Sequence, residues 1–138
     1  DMSVRAYRRA VADTENPRDF ERRILTRITN ELEVHGKNYD ESESKLERSQ
    51  FLAGPLRLAL ANNLKFWTAL RLDLLTPTNQ YPASLRAELI SLSMFVERQV
   101  NAVLGGRGTV SALVDINRSI LAGMSGDAGP AAAKPEGV

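Results

Sequence analysis

The sequence predicts an all-α fold, a single-domain bundle of four to five helices with short loops and a disordered C-terminal tail. Two observations support this. Apolar residues recur at helical spacing in nearly every segment, and no segment shows the alternation typical of a strand. With 138 residues, 43% of them hydrophobic, the chain suits one compact domain, which we assign to residues 1–124, with the tail at 125–138.

The first predicted element is a short helix over residues 3–11. Val4, Tyr7 and Val11 are spaced three and four residues apart, so they share one narrow apolar stripe. Two interpretations stay open. The helix is a fixed part of the bundle, or it is mobile and occupies a groove until a partner displaces it. Tyr7 is therefore a candidate for contact with a partner.

The next helix is predicted to begin with Asn16 as its N-cap and Pro17 at its first position. It should run to about His35. Its apolar positions recur every four residues and should face the core: Phe20, Ile24, Ile28 and Leu32. Gly36 is predicted to end the helix as its C-cap, and the polar and acidic residues up to Ser44 are predicted to form a loop.

The central part of the chain is predicted to hold the most buried helix. Residues 44–53 can form a helix, but Gly54 and Pro55 should interrupt it, because proline lacks a backbone donor and clashes with the preceding turn. The main helix then runs from Pro55 to about residue 75, with apolar residues around most of its circumference. The two prolines in residues 76–82 predict a defined turn.

Two further helices complete the predicted bundle. The first covers about residues 83–104 and ends at a pair of glycines. Thr109 is predicted to cap the second, which covers residues 110–122, and Gly123 is predicted to stop it. The tail after it holds no large apolar residues that would favour ordering.

Composition argues against several classes of function. The chain has 18 basic and 17 acidic residues, a formal net charge of +1, so a dominant nucleic-acid surface is not expected. It has no cysteine and a single histidine, His35, so we predict no enzyme, no metal site and no cofactor. No apolar run reaches the roughly 18 residues that a membrane span needs. We expect a cytoplasmic protein without a membrane partner.

Three large apolar side chains are candidates for a partner surface. Phe66, Met94 and Phe95 fall outside the main apolar stripes and are larger than the residues a solvated face usually carries. The alternative is that they pack against the first helix or against residues 51–52. Either arrangement would remove them from water.

Polar residues among apolar ones need hydrogen-bond partners. We predict that Trp67 anchors the core and that Asn63, one helical turn earlier, is a buried hydrogen-bonding residue. Asn63 should hold either the loop after Leu104 or the last helix. Asn117 and Arg118 lie among apolar neighbours on that helix, where docking of the helix and a partner site explain them equally well.

Two charged residues flank the proline-rich turn. Asp73 precedes it and Arg86 follows it, and both lie in otherwise apolar surroundings. We predict an ion pair between them that sets the angle between the two central helices.

Several blocks of sequence resemble, in order and spacing, the FlaF family of flagellar regulators of alphaproteobacteria. The central blocks are NLKFW at 63–67, DL at 73–74, NQYP at 79–82 and LRAELISL at 85–92. The flanking blocks are AY at 6–7, PR at 17–18 with Glu21, and VDINRSI at 114–120. The residues that carry this signature most clearly are Asn63, Trp67, Asp73, Pro82 and Arg86.

The resemblance implies a cytoplasmic, non-enzymatic factor required for flagellin production and export. Its implied partners are flagellin and the regulator FlbT. An alternative is a post-transcriptional regulator that acts with FlbT on the translation of flagellin mRNA. The pairs Arg8-Arg9 and Arg22-Arg23 motivate that alternative, but acidic residues lie among them and no aromatic stacking surface accompanies them.

Overall fold

The computed structural model describes residues 17–124, which form five helices and no strand. We number the helices α1 to α5, and they span Pro17–Glu41, Lys45–Phe51, Pro55–Leu74, Ala83–Leu104 and Ser111–Met124. The predicted all-α bundle is confirmed, as are the break before Pro55 and the turn between α3 and α4. The helix predicted over residues 3–11 and the tail predicted at 125–138 lie outside the described residues.

The four long helices enclose the core. α1 packs against both α5 and α3, and α3 packs in turn against α4. α1 and α5 are antiparallel, because Asp40 near the end of α1 contacts the start of α5 while Arg118 further along α5 contacts Glu33. The core residues come from all four helices and include Leu32, Leu60, Trp67, Val96, Val100 and Leu113.

Gly36 does not end α1. The prediction of a C-cap at Gly36 and a loop up to Ser44 is wrong, because α1 continues to Glu41. Gly36 is buried inside the helix, and a Cβ atom added to it would lie 2.4 Å from Cγ1 of Val110. The glycine therefore serves a close approach between α1 and the start of α5, which requires the absence of a side chain.

The last turn of α1 is held by Tyr39. Its side chain is fully buried, and its hydroxyl donates a hydrogen bond of 2.8 Å to the carbonyl oxygen of Val103 at the end of α4. Burial raises the pKa of the Tyr39 hydroxyl above its ordinary value, against the opposing charge of Arg48. The hydrogen bond of this hydroxyl joins α1 to α4 across the core.

The start of α5 is capped from another helix. The two carboxylate oxygens of Asp40 accept hydrogen bonds from the backbone N–H groups of Val110 and Ser111, at 2.7 and 2.9 Å. Thr109 is also a cap, as predicted, because its hydroxyl accepts a hydrogen bond of 3.2 Å from the N–H of Ala112. Asp40 and Thr109 together accept hydrogen bonds from three of the backbone N–H groups that a helix leaves unpaired at its start.

The end of α5 differs from the prediction. Gly123 is buried inside the helix, which runs to Met124. A glycine that ends a helix usually takes a positive φ. Among the described residues, positive φ occurs at Gly106 (82°) and Gly108 (69°), in the loop between α4 and α5. Gly123 therefore lacks the backbone conformation that would have stopped the helix.

Replacing Asp40 with alanine should lower the free energy of unfolding by about 1–2 kcal/mol, because α5 loses a cap that accepts two hydrogen bonds. Urea denaturation measures this. Asp40→Asn should lie in between, because its amide nitrogen cannot accept a bond from Ser111. The matched control is Glu41→Ala, which removes only an exposed pair with Lys37 at 3.3 Å and should change stability by less than about 0.5 kcal/mol. Equal effects at the two positions would contradict the capping role.

Candidate binding groove

A groove of about 940 Å³ lies between the first half of α4 and the last turns of α5. Its lining residues fall between Ser84 and Phe95 on α4 and between Ser119 and Gly123 on α5. Its larger apolar lining residues are Leu85, Leu89, Leu92, Phe95 and Ile120. Glu88 is its charged lining residue. An elongated apolar surface of this kind can hold the apolar face of a helix.

The groove exists because α5 is short. α4 has 22 residues and α5 has 14, and α5 packs much more extensively against α1 than against α4. The first half of α4 therefore extends past the end of α5. Leu85 and Leu92, which belong to the apolar face of α4, remain only partly buried there.

Phe95 is the most prominent side chain of the groove. It is 39% exposed, and the guanidinium carbon of Arg98 lies 5.9 Å from the centre of its ring. A partly exposed aromatic side chain that lines an apolar groove can supply a large apolar contact area to a partner. Phe95 is thus the sequence-predicted partner residue that the structure places in a groove.

The other two apolar candidates lie elsewhere. Met94 is 47% exposed on α4 but does not line the groove. Phe66 is partly buried against the core, where its ring meets that of Trp67 edge to face at a centroid distance of 6.3 Å. Tyr7 lies outside the described residues. The structure therefore does not join Phe66, Met94 and Phe95 into one surface.

Asn63, Trp67 and Asn117 form a buried hydrogen-bonded chain. The indole N–H of Trp67 donates a bond of 2.9 Å to Oδ1 of Asn117, and Nδ2 of Asn117 donates a bond of 2.8 Å to Oδ1 of Asn63. All three residues are at most 1% exposed. The predicted core position of Trp67 is confirmed, and Asn63 holds the last helix. Asn117 has no surface to offer a partner.

Arg118 joins α5 to α1. Its Nη2 atom donates hydrogen bonds to Oε1 of Glu33 at 2.6 Å and to Oδ1 of Asn30 at 3.3 Å. Of the two interpretations of Asn117 and Arg118, docking of the last helix therefore accounts for the contacts of both residues.

The predicted ion pair between Asp73 and Arg86 is wrong. The Nε–H of Arg86 donates instead to the carbonyl oxygen of Leu74 at 3.1 Å, and Oδ2 of Asp73 accepts a bond of 3.0 Å from the side chain of Asn79. Arg86 therefore binds the end of α3 through a backbone carbonyl, and Asp73 binds a side chain of the turn. Pro82 is at the N-cap position of α4, where its carbonyl accepts the first helical bond.

No group of three His, Cys, Asp or Glu residues suited to a metal ion occurs in residues 17–124. The single histidine, His35, contacts Oε1 of Glu31 at 3.1 Å on the exposed side of α1 and is not among the lining residues of the groove. Across the same described residues, no helix combines the length and apolar character needed to cross a membrane.

The pattern of apolar residues does not indicate the groove. Leu85 and Leu92 belong to the main apolar stripe of α4, so the pattern assigns them to the core. One signal was available: the last predicted helix is shorter than the one before it by about two turns. Two antiparallel helices of unequal length must leave part of the longer one uncovered.

The fold and the groove define a class, a small all-α protein with an apolar groove between two of its helices. The model of a protein family described as "Flagellar protein FlaF" matches residues 3–124. The chain belongs to the FlaF family of flagellar proteins, which confirms the resemblance seen in the sequence. No curated protein and no solved structure was found to match the chain.

Proposed function

We propose that this chain is a non-enzymatic flagellar biosynthesis factor that binds flagellin in the cytoplasm as a chaperone and export factor. Through this binding it regulates the synthesis and secretion of flagellin. The proposed site is the groove between α4 and α5. The observation that carries the proposal is this apolar groove, lined in part by the partly exposed Phe95, in a member of a flagellar family.

The chemistry of the groove fits a terminal segment of flagellin. The resemblance to the family implies a flagellin partner, whose terminal segments are long amphipathic helices that remain unpaired until assembly. The apolar face of such a helix would replace the solvent along Leu85, Leu92 and Phe95. Covering that face would prevent premature polymerisation, because the same face is needed for packing in the filament.

The test is complex formation between the purified full-length protein and flagellin on size exclusion, with RNA absent. A stoichiometric complex is expected. Phe95→Ser should weaken the affinity by at least about tenfold, because it removes the largest exposed aromatic of the groove. The matched control is Met94→Ser, an even more exposed apolar residue on the same helix that does not line the groove. It should leave the affinity within about twofold of the original.

Two outcomes would contradict the proposal. A loss of affinity in Met94→Ser but not in Phe95→Ser would move the site to another face of α4. Failure to form any complex, together with salt-dependent binding to flagellin mRNA, would instead support the translational regulator acting with FlbT. In one of the two arginine pairs that motivate this alternative, Arg22 contacts the exposed carboxylate of Asp19 at 3.6 Å.

A further inference from the structure

We propose that the N-terminal segment, residues 3–11, binds the groove between α4 and α5 as a short helix, so that the protein occupies its own site until a partner displaces it. The occupancy itself does not depend on the identity of the partner. That this occupancy regulates the binding of flagellin rests on the function proposed above.

The course of α1 directs the segment to the groove. α1 and α5 are antiparallel, and they are in contact where Arg118 of α5 binds Glu33 of α1. From this contact towards the same end of the bundle, α1 continues to Pro17, whereas α5 continues only to Met124. At a rise of about 1.5 Å per residue, α1 therefore extends about 15 Å beyond the end of α5. The chain that precedes Pro17 therefore joins α1 at the end of the bundle where α5 stops and the groove begins.

The dimensions of the segment match those of the groove. A helix over residues 3–11 would be about 13 Å long, and the part of α4 from Ser84 to Phe95 spans about 16 Å. Residues 12–16 separate the predicted helix from α1. Extended, these residues reach about 17 Å, which is enough to reverse the chain direction and to cross the width of a helix.

The chemistry of the segment is complementary to that of the groove. Its apolar stripe of Val4, Tyr7 and Val11 can cover the apolar lining that α5 leaves open. Its basic residues flank the stripe and can approach Glu88 in the groove; they are Arg5, Arg8 and Arg9.

The C-terminal residues 125–138 also leave the bundle near the groove, because they follow Met124. They contain alanine, glycine, proline and charged residues, and their largest apolar side chain is Val138. Such a segment would remove little apolar surface from water. The N-terminal segment is therefore the occupant that the sequence favours.

Tethering makes even a weak helix an effective competitor. A segment joined to its site by a short linker has an effective concentration in the millimolar range. Flagellin must displace the segment to bind, so the segment would raise the flagellin concentration needed for complex formation. In the free protein the segment would cover the apolar groove.

The absence of cysteine from the chain permits a direct test by disulfide trapping. The full-length variant Tyr7→Cys/Ser91→Cys pairs the middle of the segment with an exposed serine that lines the groove. The control Tyr7→Cys/Ala69→Cys uses an exposed residue on the outer face of α3. The groove pair should cross-link within the monomer at least about tenfold faster than the control pair. Adding Val4→Ser and Val11→Ser should remove the difference.

The fluorescence of Trp67, the single tryptophan, reports whether each variant keeps its core. Equal cross-linking of the two pairs in folded protein would overturn the inference. So would cross-linking between two molecules, which would assign the groove to a second copy. Faster trapping of Ala132→Cys/Ser91→Cys than of Tyr7→Cys/Ser91→Cys would assign it to the C-terminal residues.

A flagellin titration separates this inference from the proposed function. If both hold, flagellin should slow the cross-linking of the groove pair, and the Val4→Ser/Val11→Ser variant should bind flagellin more tightly than the original chain. Cross-linking of the groove pair without any binding of flagellin would support the occupancy of the groove by residues 3–11 and would contradict the proposed function. Flagellin binding that depends on Phe95, without cross-linking of the groove pair, would support the proposed function and contradict the occupancy by residues 3–11.

Discussion

The replacement Asn117→Ala is expected to lower the free energy of unfolding by about 3–5 kcal/mol. It removes the acceptor of the Trp67 indole N–H and the donor to Oδ1 of Asn63, which are both buried. Two polar groups would then have no partner, and a cavity would form in a core from which water is excluded. Urea denaturation followed by circular dichroism measures the loss.

The exposed Asn101 on α4 provides the matched control, since Asn101→Ala removes the same side chain at the surface. It should change stability by less than about 0.5 kcal/mol. A second comparison separates the hydrogen bond from the cavity. In a Trp67→Phe background the effect of Asn117→Ala should shrink by about 1 kcal/mol, because the indole donor is already absent. Independent effects of the two replacements would show that the bond contributes nothing.

The replacement Gly36→Ala is expected to lower the free energy of unfolding by about 2 kcal/mol. At an open position inside a helix, the same replacement would stabilise the protein by about 1 kcal/mol, because alanine favours the helix more than glycine does. Here the added methyl group would lie 2.4 Å from Cγ1 of Val110, which is too close for two carbon atoms that are not bonded to each other. The helices must separate or Val110 must move. Thermal and urea unfolding should both report the loss.

The sign should reverse when Val110 is shortened. Val110→Ala alone should destabilise the protein, because it leaves a space between α1 and α5. In that background, Gly36→Ala fills part of the space and should be neutral or stabilising. If Gly36→Ala destabilises both backgrounds equally, the contact with Val110 is not the reason for the glycine.

The elements that the sequence predicted correctly depend on nearby residues. Proline at position 55 ended one helix and began the next, and the glycines after Leu104 ended α4. Gly36 shows the limit of such reasoning. Glycine is suited both to the end of a helix and to a close helix contact, and a residue 74 positions later, Val110, decided between them.

Asp73 and Arg86 show the same limit for polar residues. Their position on either side of the turn suggested a mutual ion pair. Backbone carbonyls at the end of a helix and side chains within a turn compete for the same groups, however. Arg86 binds the carbonyl of Leu74, and Asp73 binds the side chain of Asn79. The identity of a hydrogen-bond partner depends on angles between helices that the pattern of residues does not contain.

For this protein, the sequence by itself determined the all-α class, most helix boundaries, the burial of Trp67 and the membership of the flagellar family. These follow from periodicity, caps and motif spacing, which act over a few residues or are read directly. Only the tertiary structure decided that Asn117 joins Asn63 to Trp67, that Asp40 caps α5, and that Phe95 borders a groove while Met94 does not. Each depends on how far α5 extends beside α1 and α4, because contacts between distant segments arise only when whole helices pack.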